Sequence, residues 1–170
     1  MANNIEESIF TVKYNNMEYN FPQTKRLDIR WSDIDPNFHM RHSVYYDFGA
    51  AQRTEVLNAI GLTMAVFARE KVGPVLFEEK CQFKRELHFG DEVDIKVEIV
   101  GLSRDFERFA FRHTFVKTDG TIAAILTLNG AWIDTVKRKL TLPPKMIEEA
   151  FDKLPKADDF EWIATSKSPK

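Results

Sequence analysis

Within ten residues, Asp33, Asp35, Asn37, His39 and His42 bring together two carboxylates, an amide and two imidazoles. A carboxylate can attack an acyl carbon or take a proton from water, an imidazole trades protons near neutral pH, and an amide can orient a substrate or donate to an oxyanion. The stretch from Ser32 to Ser43 is dense in turn formers and contains Pro36, which lacks a backbone donor, so it reads as a loop. It leads into a helix with its N-cap expected at Ser43. A helix start offers unpaired N–H groups and a partial positive charge where a carbonyl oxygen turns negative. Together these are the parts of an acyl-transfer site. Asp, Asn and Ser also serve turns for purely local reasons, and Asp35 before Pro36 suits such a role as well.

The flanking elements must hold this loop. Before it, Leu27, Ile29 and Trp31 alternate with Arg26, Asp28 and Arg30, which predicts a strand; residues 9–22 read as a hairpin or extended lead-in around Asn15-Asn16. After it, Val44 to Ile60 is free of Pro and closes at Gly61, which predicts a long helix. Spacing at about 100° per residue puts Val44, Tyr45, Phe48, Ala51 and Ala59 on the inward face, with Gln52 and Glu55 in its middle. The small run Gly49-Ala50-Ala51 would let a sheet approach closely. A shorter helix fits Leu62 to Lys71.

Strands follow: Val75 to Arg85, then Val93, Ile95, Val97 and Ile99 in alternation, then Phe109, Phe111 and Phe115, and a central strand from Thr121 to Ile133 beyond the Asp119-Gly120 turn. Pro143-Pro144 opens an amphipathic helix carrying Met146, Ile147, Ala150, Phe151 and Leu154, and the tail from Pro155 reads as at most partly ordered. The order describes an α+β domain in which one antiparallel sheet packs on one helix.

Composition narrows the function. At 170 residues, 44% hydrophobic and 29% charged, the chain suits one soluble domain. A net charge of −2 supplies no bulk field for nucleic acid or acidic lipid. Cys81 stands alone, so no intramolecular disulfide can form, and the acidic opening MANNIEESIF does not read as a secretory leader. The most apolar run, Ile122 to Ile133, is broken by Thr127, Asn129 and Gly130 and falls short of a bilayer span. A cytoplasmic protein is the expectation. The 14 Phe, 3 Trp and 4 Tyr lean toward β structure.

The segment Arg30-Trp-Ser-Asp-Ile-Asp-Pro-Asn-Phe-His-Met40, followed by Tyr45 or Tyr46, Arg53 and Gly61, resembles the opening of hotdog-fold thioesterases. The broad pattern is that of the 4-hydroxybenzoyl-CoA thioesterase-like group, and Asp-x-Asp-x-Asn-x-His is nearer to the acyl-acyl-carrier-protein thioesterases. Phe83 to Val93 resembles the family's strand, turn and Gly-Asp step, and coverage runs over roughly residues 25–135. The resemblance implies one hotdog domain over 1–170: a sheet of about five or more antiparallel strands wrapped around a long central helix. The lead-in is then 1–24, and the C-terminal helix and tail are 143–170. It also implies hydrolysis of an acyl-CoA or acyl-carrier-protein thioester without a cofactor, by a homodimer or homotetramer.

By position, Asp35 falls on the catalytic carboxylate, nucleophile or base, Asn37 and His39 on catalytic-site residues that position the thioester carbonyl or assist proton transfer, and Asp33 on a structural acid. Ser43 and Val44 mark the helix start that would hold the oxyanion. This chain has Arg41-His42 where the pattern has Asn-Asn, and Phe38 where Gly often precedes the His, which keeps a non-catalytic acyl-thioester-binding or oligomeric hotdog protein as the alternative. Glu55 reads as either paired or bordering a pocket, Gln52 as a hydrogen-bond support, and Glu79 as aimed at the interior or a subunit interface. Phe109 to Phe115 reads first as core, and the spacing of His39 and His42 is compatible with a metal, with no further Cys or His cluster beside it.

Overall fold

The computed structural model describes residues 9–14, 17–22 and 24–164, with side chains from Thr24 onward. Strands β1 (Ile9–Tyr14) and β2 (Met17–Pro22) pair antiparallel, while the Asn15-Asn16 turn lies outside the described residues. The main sheet contains β3 (Thr24–Arg26), β4 (Val72–Phe83), β5 (Val93–Ser103), β6 (Arg108–Lys117), β7 (Ile122–Asp134), β8 (Lys139–Leu140) and β9 (Lys156–Ile163). Its order is β3-β5-β6-β7-β4, with β8 on β7 and β9 on β5. All pairings are antiparallel except β5 with β9.

The expected alternation in β5 holds: Val93, Ile95, Val97 and Ile99 are buried. The β6–β7 hairpin turns at Gly120, whose φ of +85° glycine adopts freely, with the Asp119 carboxylate accepting the Thr121 N–H at 2.8 Å.

Helix α1 (His42–Ala59) lies across the concave face, between two apolar clusters. Its first half meets Leu87, Phe115 and Leu126, and its second half meets Phe111, Leu128 and Trp132. Helix α2 (Met64–Glu70) starts at Thr63, whose hydroxyl accepts the Val66 N–H. Helix α3 (Lys145–Asp152) buries Ile147, Ala150 and Phe151 against the second cluster, as its periodicity requires.

Four expectations need correction. The first strand ends at Arg26, and after one more bond to β5, from the Leu27 N–H to the Val93 carbonyl at 2.8 Å, the chain leaves the sheet; Leu27 and Ile29 are buried as expected, but a 3₁₀ turn over Trp31–Asp33 rotates Trp31 out to 69% exposure. Helix α1 begins at His42, one residue before the expected cap, because the Ser43 hydroxyl is engaged by Arg41 Nη1 at 3.1 Å and caps nothing. Its buried residues are Val44, Tyr45, Gly49, Gln52 and Val56, whereas Ala51 and Glu55 are exposed and Glu55 pairs with Lys25. The tail from Pro155 forms β9, held by its ladder with β5, by Arg112 on the Asp159 carboxylate and by Arg104 stacked on Trp162.

Candidate active site

The loop between β3 and α1 is tied from inside. Asp33 is 1% exposed and receives Arg30 three times, from the backbone N–H at 2.9 Å and from Nε and Nη2 at 3.1 and 3.0 Å. The Arg30 hydrogen bonds hold its carboxyl below the usual range. Its carbonyl takes the Arg41 N–H at 2.8 Å, so Asp33 anchors the loop, as the resemblance implies.

Across the tip, the Asp35 N–H donates to the His39 carbonyl at 2.8 Å and the Phe38 N–H to the Asp35 carbonyl at 3.0 Å. This tight turn places Phe38 at a φ of +63°, the left-handed region that glycine tolerates and a phenylalanine adopts at a cost of about 1–2 kcal/mol. The glycine of the family pattern at this position thus has a backbone reason, and Phe38 keeps the conformation with its ring 70% exposed.

The Asp35 carboxylate divides its work. Oδ1 accepts the N–H groups of Asn37 at 2.8 Å and His39 at 3.2 Å, while Oδ2 has no hydrogen-bond partner among the described residues. Asp35 lines a cleft of about 390 Å³ together with His39, Met40, His42, Tyr45, Phe83 and the segment Lys84 to Glu86. Tyr45 packs edge-on against Phe83 and Phe115 at 5.0 and 5.1 Å. Burial pushes its phenol up to about 12, so near neutral pH it can act as a donor and not as a base. At the start of α1, the Val44 N–H is taken by the Arg41 carbonyl at 3.0 Å, while the N–H groups of His42 and Ser43 have no backbone acceptor among the described residues.

The residues singled out in sequence therefore separate. Asp35, His39 and His42 meet in the cleft, and Ser43 and Val44 follow directly in the first turn of α1. The Asn37 side chain is exposed and outside the cleft lining; its backbone N–H, not its amide, serves Asp35. Glu55 faces solvent and Gln52 is 1% exposed on the buried face of α1, and neither lines the cleft. Glu79 points inward to Arg53 Nη1 at 2.9 Å. It shares that face with Leu76, not with Val75 and Phe77, because a bulge between Leu76 and Glu78 shifts the strand by one residue.

Three further polar side chains went unnoticed. His113 is fully buried and, among the described residues, neither ring nitrogen makes a well-formed hydrogen bond, the Leu126 backbone being a weak partner. Its parity with Phe109, Phe111 and Phe115 was the available signal. Glu86 and His88 sit beside His39: Glu86 Oε2 lies 3.3 Å from His39 Nε2, and the His88 ring meets that of His39 edge-on at 5.1 Å. His42 does not join this group, so the metal-compatible pairing noted in sequence is replaced by His39 with His88.

An antiparallel sheet curled on one long helix, with a polar loop opening into a cleft at the helix start, defines the hotdog class. Residues 29–151 match the family model of the thioesterase-like superfamily, and the chain belongs to that superfamily. Among solved structures, the protein SAV2348 from Staphylococcus aureus, determined in complex with CoA, is 19% identical, with a TM-score of 0.72 over 85% of this chain and 89% of that one. Slr0204, a 1,4-dihydroxy-2-naphthoyl-CoA thioesterase from Synechocystis, is 14% identical, with a TM-score of 0.68 over 76% and 94%. BH1999, a gentisyl-coenzyme A thioesterase, is 23% identical, with a TM-score of 0.64 over 74% and 98%. At these identities the likeness shows the fold. No curated protein matches the chain significantly. Among the described residues no helix is long and apolar enough to cross a membrane.

Proposed function

We propose that this protein, as one domain, hydrolyses acyl-CoA or acyl-carrier-protein thioesters with Asp35 as nucleophile or general base. The observation that carries the reading is the divided carboxylate of Asp35, a residue lining the cleft, with one oxygen fixed by two backbone N–H groups and the other without a hydrogen-bond partner among the described residues. A carboxylate so held either attacks the thioester carbonyl carbon or takes a proton from the attacking water. The carbonyl oxygen then becomes negative and is received by the N–H groups of His42 and Ser43, helped by the positive end of α1. Collapse breaks the C–S bond, and water is consumed to give an acid and a thiol. His39 borders the same space and orients the substrate. Thioesters of CoA are supported by neighbours that bind CoA or act on aromatic CoA thioesters, and Lys84 and Arg85 on the cleft rim suit a phosphate-bearing carrier.

A second copy of the chain is the partner that β4 favours. It has β7 on one edge and no strand on the other among the described residues, and it exposes Leu76, Phe77 and Phe83.

One observation favours the non-catalytic alternative: the Oδ1 bonds alone account for Asp35 as a turn-closing residue. The decisive comparison is wild type against Asp35→Asn on short, long and aromatic acyl-CoAs and on acyl-carrier-protein thioesters, with thiol release measured in a Cys81→Ser background. Asn retains an acceptor for the two N–H groups, so the loop should hold. A loss of at least about a hundredfold, near 2.7 kcal/mol, is expected. Equal turnover by the two proteins would remove Asp35 from the chemistry, and acyl-CoA binding without turnover by wild type would establish the alternative.

A further inference from the structure

We propose that His39, Glu86 and His88 form a binding site for a divalent transition ion of the zinc type. One ligand atom from each lies within 4.8 Å of the others. The His39 Nε2 to Glu86 Oε2 distance of 3.3 Å matches the separation of about 3.4 Å between two ligands that each sit 2.0–2.1 Å from a tetrahedral ion. The His88 donor lies within 4.8 Å of the other two, so its ring has to turn toward them to complete the set. Two imidazoles and one carboxylate select a borderline-soft ion over Ca²⁺ or Mg²⁺, which require all-oxygen shells.

The backbone beneath these side chains is fixed by bonds that no ion is needed to make. The Met40 N–H donates to the Leu87 carbonyl at 2.6 Å, joining the segment that carries His39 to the one that carries Glu86 and His88. Leu87 itself is fully buried. The His39 N–H is held by Asp35, the His88 N–H donates to Asp91 Oδ2 at 3.0 Å, and the Asp91 N–H returns to the His88 carbonyl at 3.1 Å. Asp91 Oδ2 also lies 3.6 Å from His88 Nδ1 and is pinned by Lys117 Nζ at 2.9 Å. At 3.6 Å the Asp91 carboxylate lies beyond hydrogen-bond distance of Nδ1 of His88, so what it fixes is the backbone of His88, through the His88 N–H, and not the tautomer of the ring. A surface ion pair accounts for His39 and Glu86 and an edge-on ring contact for His88 beside His39; in the proposed site these three donors, within 4.8 Å of one another, take one ion. With Glu86 66% exposed and His88 48%, the remaining coordination positions open to water.

The proposal does not depend on thioester hydrolysis, so its test reads binding alone. Chelator-treated protein is titrated calorimetrically with ZnCl₂ at about pH 7.5. Co²⁺ is added in parallel to read the visible absorption of a low-coordinate site. One ion per chain is expected. His88→Ala and Glu86→Gln each remove an exposed ligand and should weaken binding by at least about tenfold. His42→Ala, in the same cleft but outside the triad, should change it by less than about threefold; thermal unfolding verifies that each variant is folded. No Zn²⁺ binding up to about millimolar concentration, wild-type affinity in both ligand variants, or a loss confined to His42→Ala would each overturn the proposal.

Discussion

Gly49 faces Leu126 of β7 at the point where α1 seats in the sheet, and replacing it by Ala sets two effects of known sign against each other. Ala is favoured over Gly inside a helix by about 1 kcal/mol. Against this, a Cβ at position 49 would fall well inside the 3.4–4 Å of ordinary van der Waals contact with Leu126 Cδ2. Leu126 has no exposed surface and is enclosed by Val44, Tyr45 and Phe115, so either its rotamer is forced or α1 lifts from the sheet. Overpacking of that kind costs about 1–3 kcal/mol, and the enclosed position of Leu126 argues for the upper half of the range.

Gly49→Ala is therefore expected to destabilise by about 1–2 kcal/mol net, a fall of about 2–8 °C in Tm for a chain of this length. Urea and thermal unfolding at one fixed protein concentration provide the assay, since an associating protein changes stability with concentration. The sharper test is the sign in a second background. In Leu126→Ala, itself costing about 2–5 kcal/mol, the contact is gone and only helix propensity remains, so Gly49→Ala should stabilise by up to about 1 kcal/mol. A Gly49→Ala protein as stable as wild type, or one that destabilises equally in both backgrounds, would refute the account of α1 seating through a missing side chain.

His113 predicts an acid-side loss of stability. Burial, reinforced by the positive charge of Arg53 and only partly offset by the Leu126 backbone, pushes its imidazole down to about 3 from the ordinary 6.5. Between about pH 6.5 and 3 the unfolded chain therefore takes up a proton that the folded chain refuses. Stability falls as pH drops, by about 1.4 kcal/mol per unit and about 2 kcal/mol at pH 5. His113→Leu also removes two buried nitrogens without a well-formed hydrogen bond, so it should lie within about 1 kcal/mol of wild type at pH 7 and be the more stable protein at pH 5; parallel urea titrations with equal pH slopes would contradict this. At the loop tip, Phe38→Gly should raise Tm slightly by relieving the left-handed conformation without losing packing, while the β-branched Phe38→Val should lower stability by about 1–2 kcal/mol. Differential scanning calorimetry of the pair gives the order, and the reverse order would place the cost elsewhere.

How far sequence pattern reaches depends on what each element is packed against. β5 was legible because one face of it is buried along its whole length, so its alternation has one cause. α1 was legible in extent but not in face. It spans two clusters with polar side chains between them, and Gly49 and Gln52 are buried where shape and hydrogen bonding, rather than hydrophobicity, decide the fit. β9 left no apolar signal because it sits at an edge, where its ladder with β5 and surface contacts such as Arg112 with Asp159 replace core burial.

The same contrast governs the cleft. Asp33, Asp35 and His39 belong to one continuous loop whose hydrogen bonds are mostly local, so residue types and spacing could suggest an anchor, a turn-closing carboxylate and a neighbouring imidazole. Asn37 misled because a turn can use a backbone N–H where spacing suggests a side chain. Glu86 and His88 are brought to His39 across the bond from the Met40 N–H to the Leu87 carbonyl, which joins segments nearly fifty residues apart. No window of sequence contains that bond. The opposing wall of the cleft becomes visible only once the sheet has curled and Leu87 has entered the core, and it is there that the proposed ion-binding side chains converge.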